Sequence, residues 1–151
     1  MADQQISEKL PSWIRDHVQR YIESDGADGH YWDSSLAGGE GMATTLLLTT
    51  VGRKTGLTLT LPLLYIPVND GYCVAASKGG SSRHPAWFLN LEAQPNVQVQ
   101  VAADKFQAVA RVTQGDEREA LWQQMVDGFP PYEKYQKLTD RLIPVVVFER
   151  L

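Results

Sequence analysis

Two short glycine-bounded loops hold the residues best suited to chemistry. Arg53, Lys54 and Thr55 lie in Gly52-Arg53-Lys54-Thr55-Gly56, and Lys78 and Arg83 lie in the run from Ser77 to His84, which contains Gly79 and Gly80. Glycine has no side chain, so backbone N–H groups there can come close to a ligand. Guanidinium and ammonium groups beside such amides are what a phosphate or carboxylate requires. Surface turns also carry lysine and arginine for solubility alone, and the residues by themselves leave both readings open. The two loops are expected at the ends of neighbouring strands, where they would share one anion site.

Other chemistries find less support. His17, His30, His84 and Cys73 are spread widely and show no metal-ligand spacing, so no metal centre is expected. There is no G-x-S-x-G elbow for a hydrolase. Lys54 follows arginine rather than glycine in a loop between two strands, which fails the P-loop pattern. Cys73 is the lone cysteine, so no intrachain disulfide can form. It sits between Tyr72 and Val74 without a neighbouring cation and is expected to be buried and unreactive. His17 and His30 read as structural.

The elements that must position the loops follow from periodicity. Ile14, Val18, Tyr21 and Ile22 recur at helical spacing between about Pro11 and Ser24, and Gly26 marks the stop. The glycine-rich stretch Gly26–Gly41 reads as a loop. Thr44–Val51 is β-branched and apolar, and Leu57, Leu59, Leu61 and Leu63 alternate with Thr58, Thr60 and Pro62, which predicts a hairpin around Gly52–Gly56. Pro62 cannot donate to a ladder and belongs at an edge or bulge. Asn69-Asp70-Gly71 predicts a turn and Tyr72–Ala76 a strand. Ala86–Ala93 reads as a helix opened by Pro85. Strands follow at Val97–Val101 and Phe106–Thr113. A helix capped by Asp116 runs to Asp127, with Leu121, Trp122, Met125 and Val126 inward. A short aromatic helix falls within Pro130–Asp140, and a last strand at Ile143–Phe148. The fold class is α+β, mainly antiparallel β: about six strands closing into a small barrel with N-terminal, central and C-terminal helices. The chain of 151 residues fits one domain, with residues 1–41 as helix and loop and residues 42–151 as barrel.

Charge and hydropathy narrow the partners. Fourteen basic against eighteen acidic residues give a net charge of −4, which disfavours general nucleic-acid binding. No apolar run approaches a membrane span of about 20 residues. Met1–Lys9 lacks the basic-then-apolar order of a signal peptide, so a cytoplasmic location is expected.

The motifs taken together resemble one family. Gly52–Gly56, Pro62-Leu63, Ala76-Ser77-Lys78-Gly79-Gly80 and His84-Pro85-Ala86-Trp87-Phe88-Leu89-Asn90-Leu91 keep the order and spacing of the deazaflavin-dependent nitroreductases. So do Asp25–His30, Tyr132-Glu133-Lys134-Tyr135, Thr139-Asp140-Arg141 and Ile143-Pro144-Val145. The resemblance covers nearly the whole chain. It implies a split β-barrel that binds coenzyme F-420, an 8-hydroxy-5-deazaflavin, and passes its hydride to an activated C=C bond, a quinone or a nitro group. By the same resemblance Arg53, Lys54 and Thr55 would face the phosphate and acidic tail. Pro62, Ala76, Ser77, Lys78, Gly79, Gly80, Trp87 and Asn90 would border the deazaflavin, and Tyr132 and Tyr135 would wall the acceptor as catalytic residues. A small-molecule substrate and a homodimer are the partners expected. One departure stands out: relatives commonly carry an arginine between the turn and the proline, whereas Leu57–Leu61 has no cation. FMN in place of the deazaflavin, or a non-catalytic barrel carrying an apolar, fatty-acid-like ligand, are the alternatives.

Overall fold

The alternating leucines and threonines of the middle segment fold as a long antiparallel hairpin. The computed structural model describes residues 10–69 and 71–151. The polar start Met1–Lys9 and Asp70 of the expected turn therefore lie outside the described residues. Eight strands form one sheet: β1 (Tyr31–Asp33), β2 (Met42–Val51), β3 (Thr58–Leu64), β4 (Ile66–Val68), β5 (Gly71–Ala75), β6 (Asn96–Val101), β7 (Asp104–Val112) and β8 (Val145–Arg150). Among the described residues four α-helices accompany them: α1 (Ser12–Glu23), α2 (Ala86–Ala93), α3 (Gly115–Gly128) and α4 (Pro131–Lys137). The two strands beyond the expected six are β1 and β4, each only 3 residues long. Segments that short carry no readable period, and β1 falls inside the stretch read as loop.

The hydrogen-bonded path runs β1-β2-β6-β7-β8-β5-β4, with β3 paired to β2 off that path, and all pairings are antiparallel. Only Tyr65 separates β3 from β4 in sequence, although the two lie at far ends of the pairing order. A sheet with consecutive ends must curl until they meet, and strand twist supplies the curl. The result is a split barrel whose seam is joined by the chain itself. Pro62 lies in β3, which pairs only with β2, so its missing N–H falls at an edge, as expected.

Burial follows the two-residue period of the strands. Leu46, Leu48, Val74, Val146 and Phe148 point into one core with Trp87, Phe88 and Leu91 of α2. The alternate residues Cys73, Ala75, Val145 and Val147 join a second core under α3 and α4 with Met125, Val126, Phe129 and Tyr132. Leu47, between the two inward leucines of β2, packs instead on Val18 and Tyr21 of α1. The Tyr21 hydroxyl donates to the Thr45 carbonyl at 2.9 Å and accepts from the Ala102 N–H at 2.8 Å, which fastens α1 to β2 and to the β6–β7 turn.

Several boundaries shift by one or two residues from the sequence expectation, and two of the shifts have an identifiable cause. Gln114 rather than Asp116 occupies the position before α3 and makes no side-chain capping bond; Asp116 and Glu117 sit in the first turn, where their charge complements the helix dipole. The last strand starts at Val145. The Ile143 N–H is taken by the Gln136 side chain at 2.9 Å, so that residue is held by α4 and not by the sheet.

Candidate active site

A cavity of about 660 Å³ opens between β3, the loop after β5, and helices α1, α2 and α4. β3 contributes Pro62, Leu63 and Leu64; the loop contributes Ser77, Lys78 and Gly79; α2 contributes Trp87. Trp13, Ile14 and His17 of α1 form one wall, and Phe129, Tyr132 and Tyr135 form another.

The loop has an unusual backbone. Ser77 is right-handed helical (φ −80°, ψ −38°), and Lys78, Gly79 and Gly80 follow with φ of 45°, 62° and 85°. A right-handed residue followed by a left-handed one turns successive N–H groups toward a single point, forming a concavity that accepts anionic oxygens. Lysine in the left-handed region costs about 1–2 kcal/mol, so the surroundings must hold it there. A side chain on Gly79 would meet no heavy atom within 4 Å, so the concavity is open at that residue. A Cβ on Gly80 would lie 2.8 Å from the Tyr135 carbonyl oxygen and 3.0 Å from its Cα, so glycine is required where the loop meets α4.

Arg141 holds the loop from behind. Its guanidinium donates to the carbonyls of Ser81 at 2.8 Å, Ser77 at 2.8 Å and Ala76 at 3.1 Å, and to Nδ1 of His84 at 3.1 Å. No residue pattern marks this role, because three of the four acceptors are backbone atoms of a remote segment. Trp13, His17 and Phe129 are likewise cavity residues without a distinguishing motif.

The aromatic wall is tightly built. Tyr132 is 5 % exposed and packs edge-on against Phe129, with ring centroids 4.9 Å apart, and near Tyr135 at 6.2 Å. Burial pushes its phenol well above the usual range, and the neighbouring Tyr135 and Cys73 add to the rise, so the hydroxyl stays protonated. Among the described residues no hydrogen-bond partner accompanies the hydroxyl of Tyr132 or Tyr135. His17 donates from Nε2 to the Gly29 carbonyl oxygen at 2.7 Å; since a carbonyl only accepts, that nitrogen bears the proton. Burial lowers its pKa. Cys73 is fully buried and its thiol is pushed up to about 12, first by burial and then by Glu117.

The structure thus gathers Pro62, Ser77, Lys78, Gly79, Trp87, Tyr132 and Tyr135 around one space. Ala76, Gly80 and Asn90 are buried behind it. Asn90 accepts from the Arg53 backbone at 3.2 Å and its guanidinium at 2.9 Å while donating to Thr50 at 3.2 Å, so it brackets α2 to the β2–β3 turn. Arg53, Lys54 and Thr55 occupy that exposed turn, outside the cavity. Thr58, at the turn end of β3, lies about 13 Å along the strand from Pro62. The expected adjacency of the two cationic loops is corrected: β3 pairs with β2, and β5 with β4 and β8. The break at Tyr65 inserts β4 beside β5, where the hairpin alone would have suggested β3.

Among the described residues no cluster of histidine, cysteine and carboxylates could hold a metal ion, and no helix is long and apolar enough to cross a membrane. The donor set does fit a flat anionic cofactor. Amides and Lys78 serve polar ring or phosphate oxygens, apolar and aromatic walls serve the ring faces, and the outlying Arg53 and Lys54 suit an extended acidic tail.

Similarity to known proteins agrees with this geometry. The sequence model of the F-420H(2)-dependent quinone reductase family matches residues 13–150. An F-420H(2)-dependent quinone reductase of Mycobacterium tuberculosis is 39 % identical over 140 residues, covering 91 % of this chain and 89 % of that protein. The solved structure of an F-420-H2-dependent reductase (FDR-A) superposes with a TM-score of 0.65 at 42 % identity, covering 70 % of this chain and 93 % of that one. A solved domain-swapped dimer gives 0.68 at 36 % identity over 91 % of this chain and 97 % of its own. With the split barrel, the amide concavity and these likenesses together, the chain belongs to the F-420H(2)-dependent quinone reductase family.

Proposed function

We propose that this protein carries hydride from reduced coenzyme F-420 to a quinone, with both held in the cavity between the Ser77–Gly80 loop and α4. The observation that carries this reading is that the left-handed Ser77–Gly79 loop lines the same space as Tyr132 and Tyr135, whose hydroxyls have no hydrogen-bond partner among the described residues. When bound, the reduced deazaflavin supplies the hydride from C5. Ser77, Lys78 and Gly79 bind the cofactor's polar edge, and their fixed amides stabilise charge on ring oxygens without reorganising. Pro62 and Trp87 confine its faces, with Ala76, Gly80 and Asn90 supporting them from behind. Arg53, Lys54 and Thr55 meet the acidic tail. Quinone reduction takes one hydride and one proton. Tyr132 and Tyr135 are placed to donate a hydrogen bond to the oxygen where negative charge grows, with the proton reaching it from a hydroxyl or from water. Tyr132 cannot act as a base near neutrality, because burial keeps it protonated.

The whole chain is read as one domain, supported by the hydrogen bonds that fasten α1 to the barrel through Tyr21. A homodimer is part of the same reading, supported by the related domain-swapped dimer. None of the relatives named above is described as an FMN protein or a lipid carrier. The test is a fluorescence titration with the deazaflavin, followed by anaerobic single-turnover oxidation with a quinone. Binding with rapid quinone-dependent oxidation is expected. Tight FMN binding with no deazaflavin binding at tens of micromolar would overturn the reading.

A further inference from the structure

We propose that Arg141 and His84 form an acid-released clamp that holds the Ser77–Gly80 loop in its ligand-accepting shape and ties it to α4. The proposal rests on the cofactor reading above for its consequence, but the clamp itself is a property of the chain. Arg141 binds both sides of the loop's left-handed segment, at Ala76 and Ser77 before it and Ser81 after it. Those bonds occupy the carbonyls that flank the segment and so pin both of its ends. The Arg141 carbonyl accepts from the Gln136 side chain at 2.8 Å, and Gln136 also accepts from the Ile143 N–H at 2.9 Å, so the same residue is anchored to the helix that carries Tyr132 and Tyr135. Arg141 is a positioning residue, acting through the loop.

His84 makes the clamp sensitive to protons. A guanidinium can only donate, so Nδ1 of His84 must be the unprotonated nitrogen. A proton on Nδ1 removes the acceptor and sets two positive groups 3.1 Å apart. The groups facing His84 are Arg141 from the α4–β8 connector, the Phe88 ring of α2 with centroids 4.8 Å apart, and Glu92 of α2, whose charge acts in the opposite sense. Burial and then Arg141 lower the pKa below its ordinary 6.5, with Glu92 opposing. A depressed pKa means the neutral form is preferred in the clamped state. The clamp is therefore complete above pH 6.5 and weakens as pH falls below that value.

The experiment measures hydrogen exchange of the 76–84 amides and deazaflavin affinity in the parent, Arg141→Gln, Arg141→Lys and His84→Asn, each between pH 8 and 5.5. Losing one charge-assisted bond corresponds to about tenfold, so Arg141→Gln should speed exchange in the loop and weaken binding by about tenfold or more. Lysine, a single point charge, should not restore either, because it cannot reach four acceptors at once. Asparagine at 84 keeps an accepting oxygen but does not titrate, so its loop exchange relative to the parent should lose the acid dependence. The intrinsic pH dependence of amide exchange, and in the affinity measurement the ionisation of the cofactor, contribute equally to both proteins and cancel in that comparison. Unchanged exchange in Arg141→Gln, full rescue by lysine, or parallel pH profiles for the parent and His84→Asn would overturn the clamp. Failure of the parent to bind deazaflavin would overturn the proposed function instead, leaving the exchange measurements to decide the clamp.

Discussion

The Gly52–Gly56 turn and the Ser77–Gly80 loop each combine glycine with lysine, yet they hold their cations in different ways. The first is stabilised mainly by its own chain: the Gly52 N–H donates to the Leu57 carbonyl at 2.7 Å, the Gly56 N–H to the Gly52 carbonyl at 2.8 Å, and the Leu57 N–H to Thr55 at 3.1 Å. Among the described residues its side-chain hydrogen bonds to the rest of the fold run from Arg53 to Asn90, and Lys54 is exposed. The second is strained and is held by remote groups, with Arg141 behind it and Tyr135 against Gly80. A self-contained turn presents charge over a range of positions, which suits a flexible acidic tail. A clamped loop presents amides at fixed points, which suits a rigid ring.

This contrast can be broken or sharpened by substitution. The largest effect is expected for Gly80→Ala. The new methyl meets backbone atoms of Tyr135 at 2.8 and 3.0 Å in a left-handed conformation. It should cost about 3 kcal/mol in urea unfolding. A loss under about 1 kcal/mol would mean that α4 yields and the loop is not fixed. Next comes Tyr132→Phe, which should slow quinone turnover by about 100-fold while leaving deazaflavin affinity within about twofold, as loss of a proton or hydrogen-bond donor predicts. Equal loss in both measurements would place the hydroxyl on the cofactor rather than the acceptor.

The third comparison sets the two lysines against each other. Lys78→Ala should weaken deazaflavin binding about tenfold at low salt, because it sits at the cavity beside fixed amides. Lys54→Ala should weaken it about threefold, with nearly all of that loss gone at high salt, since exposed attraction is screened over about 10 Å at 0.1 M. Equal losses with equal salt dependence would erase the distinction between the loops. The smallest effect belongs to Gly56→Ala. A methyl there meets nothing within 4 Å, so only the φ of +74° resists it. The cost should be about 1 kcal/mol in stability, with cofactor affinity unchanged.

Legibility in the sequence tracked the range of the interactions involved. The β2–β3 hairpin was readable because Leu59, Leu61 and Leu63 alternate against Thr58, Thr60 and Pro62, a pattern fixed by the strand period. α2 was readable over Ala86–Ala93 because Pro85 starts it and Pro95 follows it. β1 was hidden because three residues among glycines have no period. The site residues came from a resemblance of motifs, and the fold divided them between a cavity and an outlying turn because β4 intervenes beside β5. Arg141 stood in a quoted motif, but its partners lie 57 to 65 residues earlier and are mostly backbone carbonyls, which leave no mark on sequence.

The Tyr21 hydroxyl, fixed between β2 and the β6–β7 turn, also gives α1 a pivot. From Tyr21 back to Trp13 the helix is a rigid arm of about 12 Å, so a tilt of about 10° at the pivot swings the Trp13 end by about 2 Å. Trp13 is 57 % exposed and borders the cavity, while Val18 and Tyr21 are fully buried. Val18 on Leu47 and the His17 bond to the Gly29 carbonyl lie along that arm, so any tilt that widened the entrance at Trp13 would also strain buried contacts, and the packing of α1 sets the width of the rim.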